Sequence, residues 1–391
     1  VWTGHKPYGG MKDRFHQKNL SRYTSFELFL YELLDQFLIL FIVSPSAVLV
    51  WRGSWKFFDE FLFPEHLLIS GWVSVGIGYI FIIMTFFFVE WKGGDLKLFE
   101  KFKEWRLFMY PLSISVLHAW RGVWMLLDIY CSTDGYSLLI SHVVSFVVLG
   151  VTKTVSNSMF IPAFYASDYC VTPFQIGTAF GTANTGTNPL YKIGDYLFTM
   201  TVITISTVAF WRSSWTALNI YIFPDHEAFS NFLSIIVGYM IIISFKLIEG
   251  SLKSIAECSK IVTFILQAAF CYSMGFAAIN LWRGTWQMIG LFVYPDHIVP
   301  VAIISHCLGM LILYISRSVV NLIGCPCGTR VDSLETLSAF DTTVGSVIHL
   351  LNREVVTTDP EKGEDLNSTK KKLIVRTSSE THSNTTTSVI K

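Results

Sequence analysis

The chain has 391 residues, 52% of them hydrophobic and 15% charged, and its formal net charge is zero. That composition is too apolar for an ordinary soluble domain, and the charge balance offers no basic surface for nucleic acid. The seven cysteines, at 131, 170, 258, 271, 307, 325 and 327, show neither CxxC nor Cys/His zinc spacing, so no cofactor or metal centre is expected.

Residues 1–34 read as a cytoplasmic N-terminal segment carrying Lys6, Lys12, Arg14, Lys18 and Arg22, without a cleavable leader pattern after Val1. Apolar runs of about 20 residues, enough to cross a bilayer, then come in pairs. They lie near 35–62 and 66–90, 107–131 and 136–158, 196–222 and 226–248, and 262–292 and 298–320. In lipid only helices and closed barrels satisfy the backbone, and these runs are too long and continuous for barrel strands. The expected fold is therefore all-α. It is a polytopic transmembrane helical bundle of eight spans as four helical hairpins, with the lipid bilayer as its first partner.

The leading helix of each pair carries Trp-Arg-x-x-Trp. The copies are Trp51-Arg52-Gly53-Ser54-Trp55, Trp120-Arg121-Gly122-Val123-Trp124, Trp211-Arg212-Ser213-Ser214-Trp215 and Trp282-Arg283-Gly284-Thr285-Trp286. Tryptophans four apart share one helix face. The small residue after each arginine, Gly53, Gly122, Ser213 or Gly284, permits close helix approach, so the arginine is expected at a helix–helix seam. Thirteen residues after the first Trp comes a tip: Pro64-Glu65-His66, Pro224-Asp225-His226 or Pro295-Asp296-His297, with Thr133-Asp134-Gly135 in the second unit. Proline breaks the incoming helix, and the acid can meet the orphan amides and positive dipole end of the next. The histidines of these tips read first as hydrogen-bonding groups and second as pH sensors.

Twelve residues separate each arginine from its tip proline, about 18 Å of helix, which is deep in a hydrocarbon core of about 30 Å. A charge at that depth needs a paired or wet home. Asp59 and Asp128 follow Arg52 and Arg121 by seven positions, too far for a direct pair within one helix but suited to pairing between adjacent hairpins. Asn219 and Gly290 hold the matching places in the other two copies, so the halves differ electrostatically. Two readings follow. In one, the tryptophans pack, each arginine pairs with a tip acid or backbone carbonyl, and each hairpin closes on itself; in the other, the polar cluster Arg52, Arg121, Arg212, Arg283, Asp59 and Asp128 lines a cavity for an anion or lipid headgroup.

The halves match each other. Ile140-Ser141-His142 leads to Lys153 and Asn157, and Ile304-Ser305-His306 leads to Arg317 and Asn321 at the same spacings. His66 leads to Gly78-Tyr79 as His226 leads to Gly238-Tyr239. The first four-helix half, 35–158, thus corresponds to the second, 196–328, as parallel repeats. Lys and Arg collect before the first helix, after the second and after the sixth, placing both termini in the cytoplasm and the tips outside. Residues 159–195, with their Gly-Thr dipeptides, read as a cytoplasmic linker. Residues 329–391 read as a disordered cytoplasmic tail. The sequons at Asn19, Asn367 and Asn384 then fall on the unglycosylated side, and Cys325-Pro-Cys327 reads as a palmitoylation site or an inert thiol pair.

The four Trp-Arg-x-x-Trp helices, the Pro-acid-His tips and the eight spans resemble the fuseless family of animal multi-pass membrane proteins, over about residues 30–325. The resemblance implies a plasma-membrane protein at the presynapse that organises voltage-gated calcium channels at active zones and supports neurotransmitter release. It supplies no catalytic residues, and no HExxH or GxSxG pattern is present, so a non-enzymatic role is expected. The rival expectation is a secondary transporter or an anion or lipid binder.

Overall fold

The computed structural model describes residues 24–91, 105–165, 168, 189–293 and 296–332, all within the compact unit Val1–Ser346. The basic clusters before residue 24 and at 92–104, Cys170, most of the linker, the tail from 333 and the three sequons lie outside the described residues. Among the described residues the regular structure is entirely helical.

Eight long helices alternate between an inner and an outer position. The inner ones carry the motif. Helix α1 runs Ser25–Leu38 and Ser44–Phe61 through a π-helical stretch Ile39–Val43. Helix α3 is Trp105–Tyr130. Helix α5 runs Pro189–Phe198 and Thr204–Tyr221 through a second π stretch, Thr199–Ile203. Helix α7 is Lys260–Phe292. The outer helices are α2 (Leu67–Trp91), α4 (Gly135–Val151), α6 (Glu227–Ala256) and α8 (Ile298–Ile315). Six of the eight runs are long and apolar enough to cross a membrane. Helix α3, which carries Ser113, Ser115, His118 and Arg121 in its buried face, is not among those six, and α4 is a shorter apolar helix. The outer helices turn apolar side chains outward at helical spacing, as Ile304, Leu308, Leu311 and Ile315 do on α8.

The expected closed hairpins give way to a rotated pairing. Helices joined by a tip are not the ones that pack along their length. Instead α2 packs along α3, α4 along α5, α6 along α7, and α8 returns to α1, closing a ring. The motif glycines explain this. Gly122 lies against the α2 backbone at Gly71 and Val75, Gly284 against α6 at Asn231 and Ile235, and Gly53 against α8 at Ala302 and His306, where a Cβ would sit within 2.5–2.8 Å of neighbouring atoms. The closest approach goes where the smallest residue stands. That residue faces the outer helix of the preceding unit.

Two short segments complete the interior. After α4, the 3₁₀ turn Val155–Ser158 leads into 159–165; after α8, the 3₁₀ turn Val319–Leu322 leads into 323–332. Residues 159–165 were expected to begin a linker, yet Met159, Phe160, Ile161 and Ala163 are buried in the core, as are Leu322, Cys325 and Cys327. The two segments clasp each other's halves. The Asp332 carboxylate accepts from the amides of Val155 and Ser156, and the Asp168 carboxylate accepts from that of Val320. The π stretches are also cross-tied, since Tyr79 donates to Met200 O at 2.6 Å and Tyr239 to Leu40 O at 3.0 Å. A π turn leaves carbonyls without their usual helical donor, and these phenols supply one.

Candidate functional site

The tryptophans of the four motifs converge on one axis. Trp51, Trp120, Trp211 and Trp282 form a square, each ring meeting its two neighbours edge to face at centroid distances of 5.6–5.7 Å. One helical turn toward the tips, Trp55, Trp124, Trp215 and Trp286 form a second square at 5.8–5.9 Å. Edge-to-face contact is the favoured geometry for aromatic quadrupoles, and each such pair adds about 0.5–1.5 kcal/mol beyond burial.

The tiers differ in their indole N–H groups. In the first tier every one is bonded to a carbonyl of the interior segments. Trp51 donates to Leu322 O, Trp120 to Cys325 O, Trp211 to Ser158 O and Trp282 to Ile161 O, at 2.6–3.2 Å. Phe160 lies 5.1–5.7 Å from all four first-tier rings, so it sits on the axis beneath them. Gly324 stands at the matching place in the other half, where a Cβ would run into the Phe160 ring. One phenyl fills the axis, and the second half must supply nothing there. Among the described residues no second-tier N–H has a protein partner. Above Phe160 the eight tryptophans enclose a cavity of ≈ 170 Å³ with Lys56 and Gln287 in its lining.

The four arginines stand outside this cavity, in separate seams. Arg121 donates from Nε to Asp59 at 3.0 Å, from Nη1 to Ser74 Oγ, and from Nη2 to Ser70 Oγ and Phe58 O. Arg283 repeats this with Asn219 at 2.7 Å, Ser234 Oγ and Ser230 Oγ. Arg212 bonds Asp128 at 2.6 Å and Cys131 O, while Arg52 bonds Trp286 O at 3.0 Å beside Gly290. Each guanidinium thus reaches the preceding unit, at the position seven after that unit's arginine or beside it. Arg121, Arg212 and Arg283 are buried; Arg52 is half-buried. The set does not form one cluster. Ser70-x-x-x-Ser74 and Ser230-x-x-x-Ser234 are partners that sequence reasoning missed, although their equal spacing from His66 and His226 was a usable signal.

The other two seams use histidine. His306 joins Ser54 Oγ at 2.8 Å and the Tyr110 hydroxyl at 3.0 Å; His142 joins Ser214 Oγ and the Tyr272 hydroxyl, each at 3.1 Å. Ser213, the departure from the motif glycine, bonds back to its own helix at Ala209 O and approaches His142 at 3.4 Å.

At the tips the four units diverge again. Asp134 caps α4, accepting from the Tyr136 and Ser137 amides at 3.0 Å, and hydrogen bonds from Ser132 and those amides hold its carboxyl below the usual range. The tips at Glu65-His66 and Asp225-His226 use a backbone turn, His66 N to Phe63 O and His226 N to Phe223 O, with Phe63 and Phe223 in the left-handed region at φ of 52° and 50°. Asp296-His297 precedes α8, where Val301 N bonds to His297 O. The tip side chains Glu65, His66, Asp225, His226 and Asp296 are exposed, and none of them lines the tryptophan cavity. Among the described residues no group of three His, Cys, Asp or Glu is placed to hold a metal ion.

On the opposite side, Arg330 donates to Ser156 O and Met159 O, each at 2.8 Å, and lies 3.6 Å from the Phe164 ring centroid. Burial pushes its guanidinium down to about 10 and pushes the Asp332 carboxyl up. Cys325 and Cys327 are free thiols buried in this segment, and burial raises both above the ordinary thiol range. In this fold they pack as inert groups, closed to an acyl donor.

These features define an all-α bundle with apolar helices compatible with a membrane protein, built on a fourfold aromatic axis. The model of the Fuseless family matches residues 30–323, and the chain belongs to that family. No curated protein and no solved structure matches it.

Proposed function

We propose that this chain is a non-enzymatic multi-pass plasma-membrane protein that organises voltage-gated calcium channels at presynaptic active zones and so supports neurotransmitter release. Family membership over residues 30–323 is the observation that carries this reading. In this proposal all eight helices span the bilayer, both termini are cytoplasmic, and the outward apolar faces of α2, α4, α6 and α8 meet lipid and neighbouring helices. The seam geometry fits a scaffold: the motif arginines hold inner helices to the preceding unit and leave no shared cationic chamber. That separation favours the scaffold reading over an anion held jointly by the four guanidiniums.

The test is a clean null with rescue. Calcium-channel density at release sites and evoked release should fall together, and return with the intact chain. Normal channel density and normal evoked release in the null reject the proposal. Orientation has its own test: outside-only thiol labelling should tag a cysteine engineered near position 225 and miss one at 91–106.

A further inference from the structure

The cavity between the tryptophan tiers belongs to none of the seams. First-tier neighbours lie 5.6–5.7 Å apart on a square with planes 82–90° to one another. Neighbouring planes at right angles around a fourfold axis stand upright along that axis. Dividing the side by √2 puts each first-tier ring about 4 Å from the axis, within the distance of about 6 Å over which a cation is held by an aromatic face. An upright ring that meets one neighbour with its edge and the next with its face presents that face obliquely to the axis. The first-tier rings are fixed there by their N–H bonds and by Phe160 below.

The upper end has the opposite chemistry. Exposure rises from the first tier, 3–4% exposed, to the half-buried second tier. The four second-tier N–H groups have no protein acceptor among the described residues and are not sealed off, so they are left able to donate. Lys56 and Gln287, one position beyond Trp55 and Trp286, complete the lining with further donors. Lys56 is 3.4 Å from Asp59, a carboxylate it shares with Arg121, so neutralisation of its charge is incomplete.

We infer that this well binds a small quaternary ammonium compound that also carries a carboxylate or phosphate, with its ammonium on the tryptophan faces and its acid group at Lys56, Gln287 and the second-tier N–H donors. Quaternary ammonium groups suit such a box because they are cationic, weakly hydrated and have no N–H requiring an acceptor, and the tryptophan rings around the axis offer none. A cavity of ≈ 170 Å³ limits the occupant to a compact zwitterion or to the headgroup of a choline lipid. The inference stands apart from the channel-organiser reading, since it needs only the axis.

The experiment is calorimetric titration of the purified full chain in nanodiscs of phosphatidylglycerol, which lacks an ammonium. Glycine betaine and phosphocholine should bind saturably, tetramethylammonium at least about 3-fold more weakly, and acetate not at all. Trp124→Phe, which removes one second-tier N–H donor from the acid group, should weaken betaine by at least about 3-fold. Lys56→Gln, at a partly exposed position, should remove the preference of betaine over tetramethylammonium and keep the ammonium binding. Repeating the titration in phosphatidylcholine nanodiscs separates the sources: lost betaine binding assigns the well to a lipid headgroup, and unchanged binding assigns it to a free molecule. No saturable binding by any ammonium compound, binding of acetate as strong as betaine, or a folded Lys56→Gln that leaves the betaine preference intact overturns the inference.

Discussion

The two tryptophan tiers are built from the same residue, four positions apart in the same four motifs, and they are held by different means. The first tier is tied through every indole nitrogen to the interior segments and packed on Phe160. The second has no such ties and keeps its place because the inner helices that carry it are clamped from outside by the arginine seams. Identical side chains can therefore serve as foundation at one level and as an adaptable wall at the next. What separates them is whether a backbone carbonyl waits at the edge of the ring.

Substitutions at the two levels should separate accordingly. Trp120→Ala should be the most damaging, costing about 3–5 kcal/mol by cavity formation, read as thermal unfolding of the detergent-solubilised chain. Trp120→Phe keeps most of the volume but strands the buried Cys325 carbonyl, so about 1–3 kcal/mol should be lost. Asp59→Ala attacks the clamp. It leaves the buried Arg121 one partner short, and with Asp59 itself 30% exposed the loss should be about 1–2 kcal/mol. Fluorine labels on the rings should then show Trp124 loosening more than Trp120. Asp59→Asn copies the Asn219 seam and should cost less than Asp59→Ala; equal costs would show that Arg121 needs charge where Arg283 needs only an acceptor. Trp124→Phe should cost about 1 kcal/mol or less, because no hydrogen bond is lost. If it matches Trp120→Phe, the distinction between tiers fails.

The smallest effect concerns pH at the second tip. The folded-state pKa of Asp134 is depressed, so its capping contribution is present above the ordinary carboxylate range and is lost as pH falls through the folded value. The protection of the Tyr136 and Ser137 amides, their exchange taken relative to the intrinsic rate at each pH, should fall in that acid window. Asp134→Asn, which still caps, should flatten the response.

Much of this arrangement can be read before any coordinates, and the rest has definite reasons for being hidden. Repetition exposes the motif helices, because Trp and Arg cannot stand by chance four times in apolar runs. The spacing from Arg52 to Asp59 and from Arg121 to Asp128 points to pairing between units, because two helical turns are too far for a contact within one helix. Periodicity shows which face of a helix is special but not which neighbour meets it. The convergence of eight rings on one axis and the packing of each outer helix on the following inner helix were therefore invisible. Residues 159–165 and 323–332 were hidden for another reason. Their backbone is irregular and contains Pro162 and Pro326, the usual marks of a surface connection. Here their carbonyls are instead consumed by tryptophan N–H groups.

The ring of packing has a bearing on how the protein is made. Helix α1, synthesised first, owes its lengthwise partner to α8, synthesised last of the eight. Until residues 298–315 emerge, the groove around Gly53 and Ser54 has no Ala302 or His306 to fill it. During assembly the earliest segment must wait, half-embraced, for the latest. A chain stopped before α8 would be an open arc, with the seam at Gly53 unfilled.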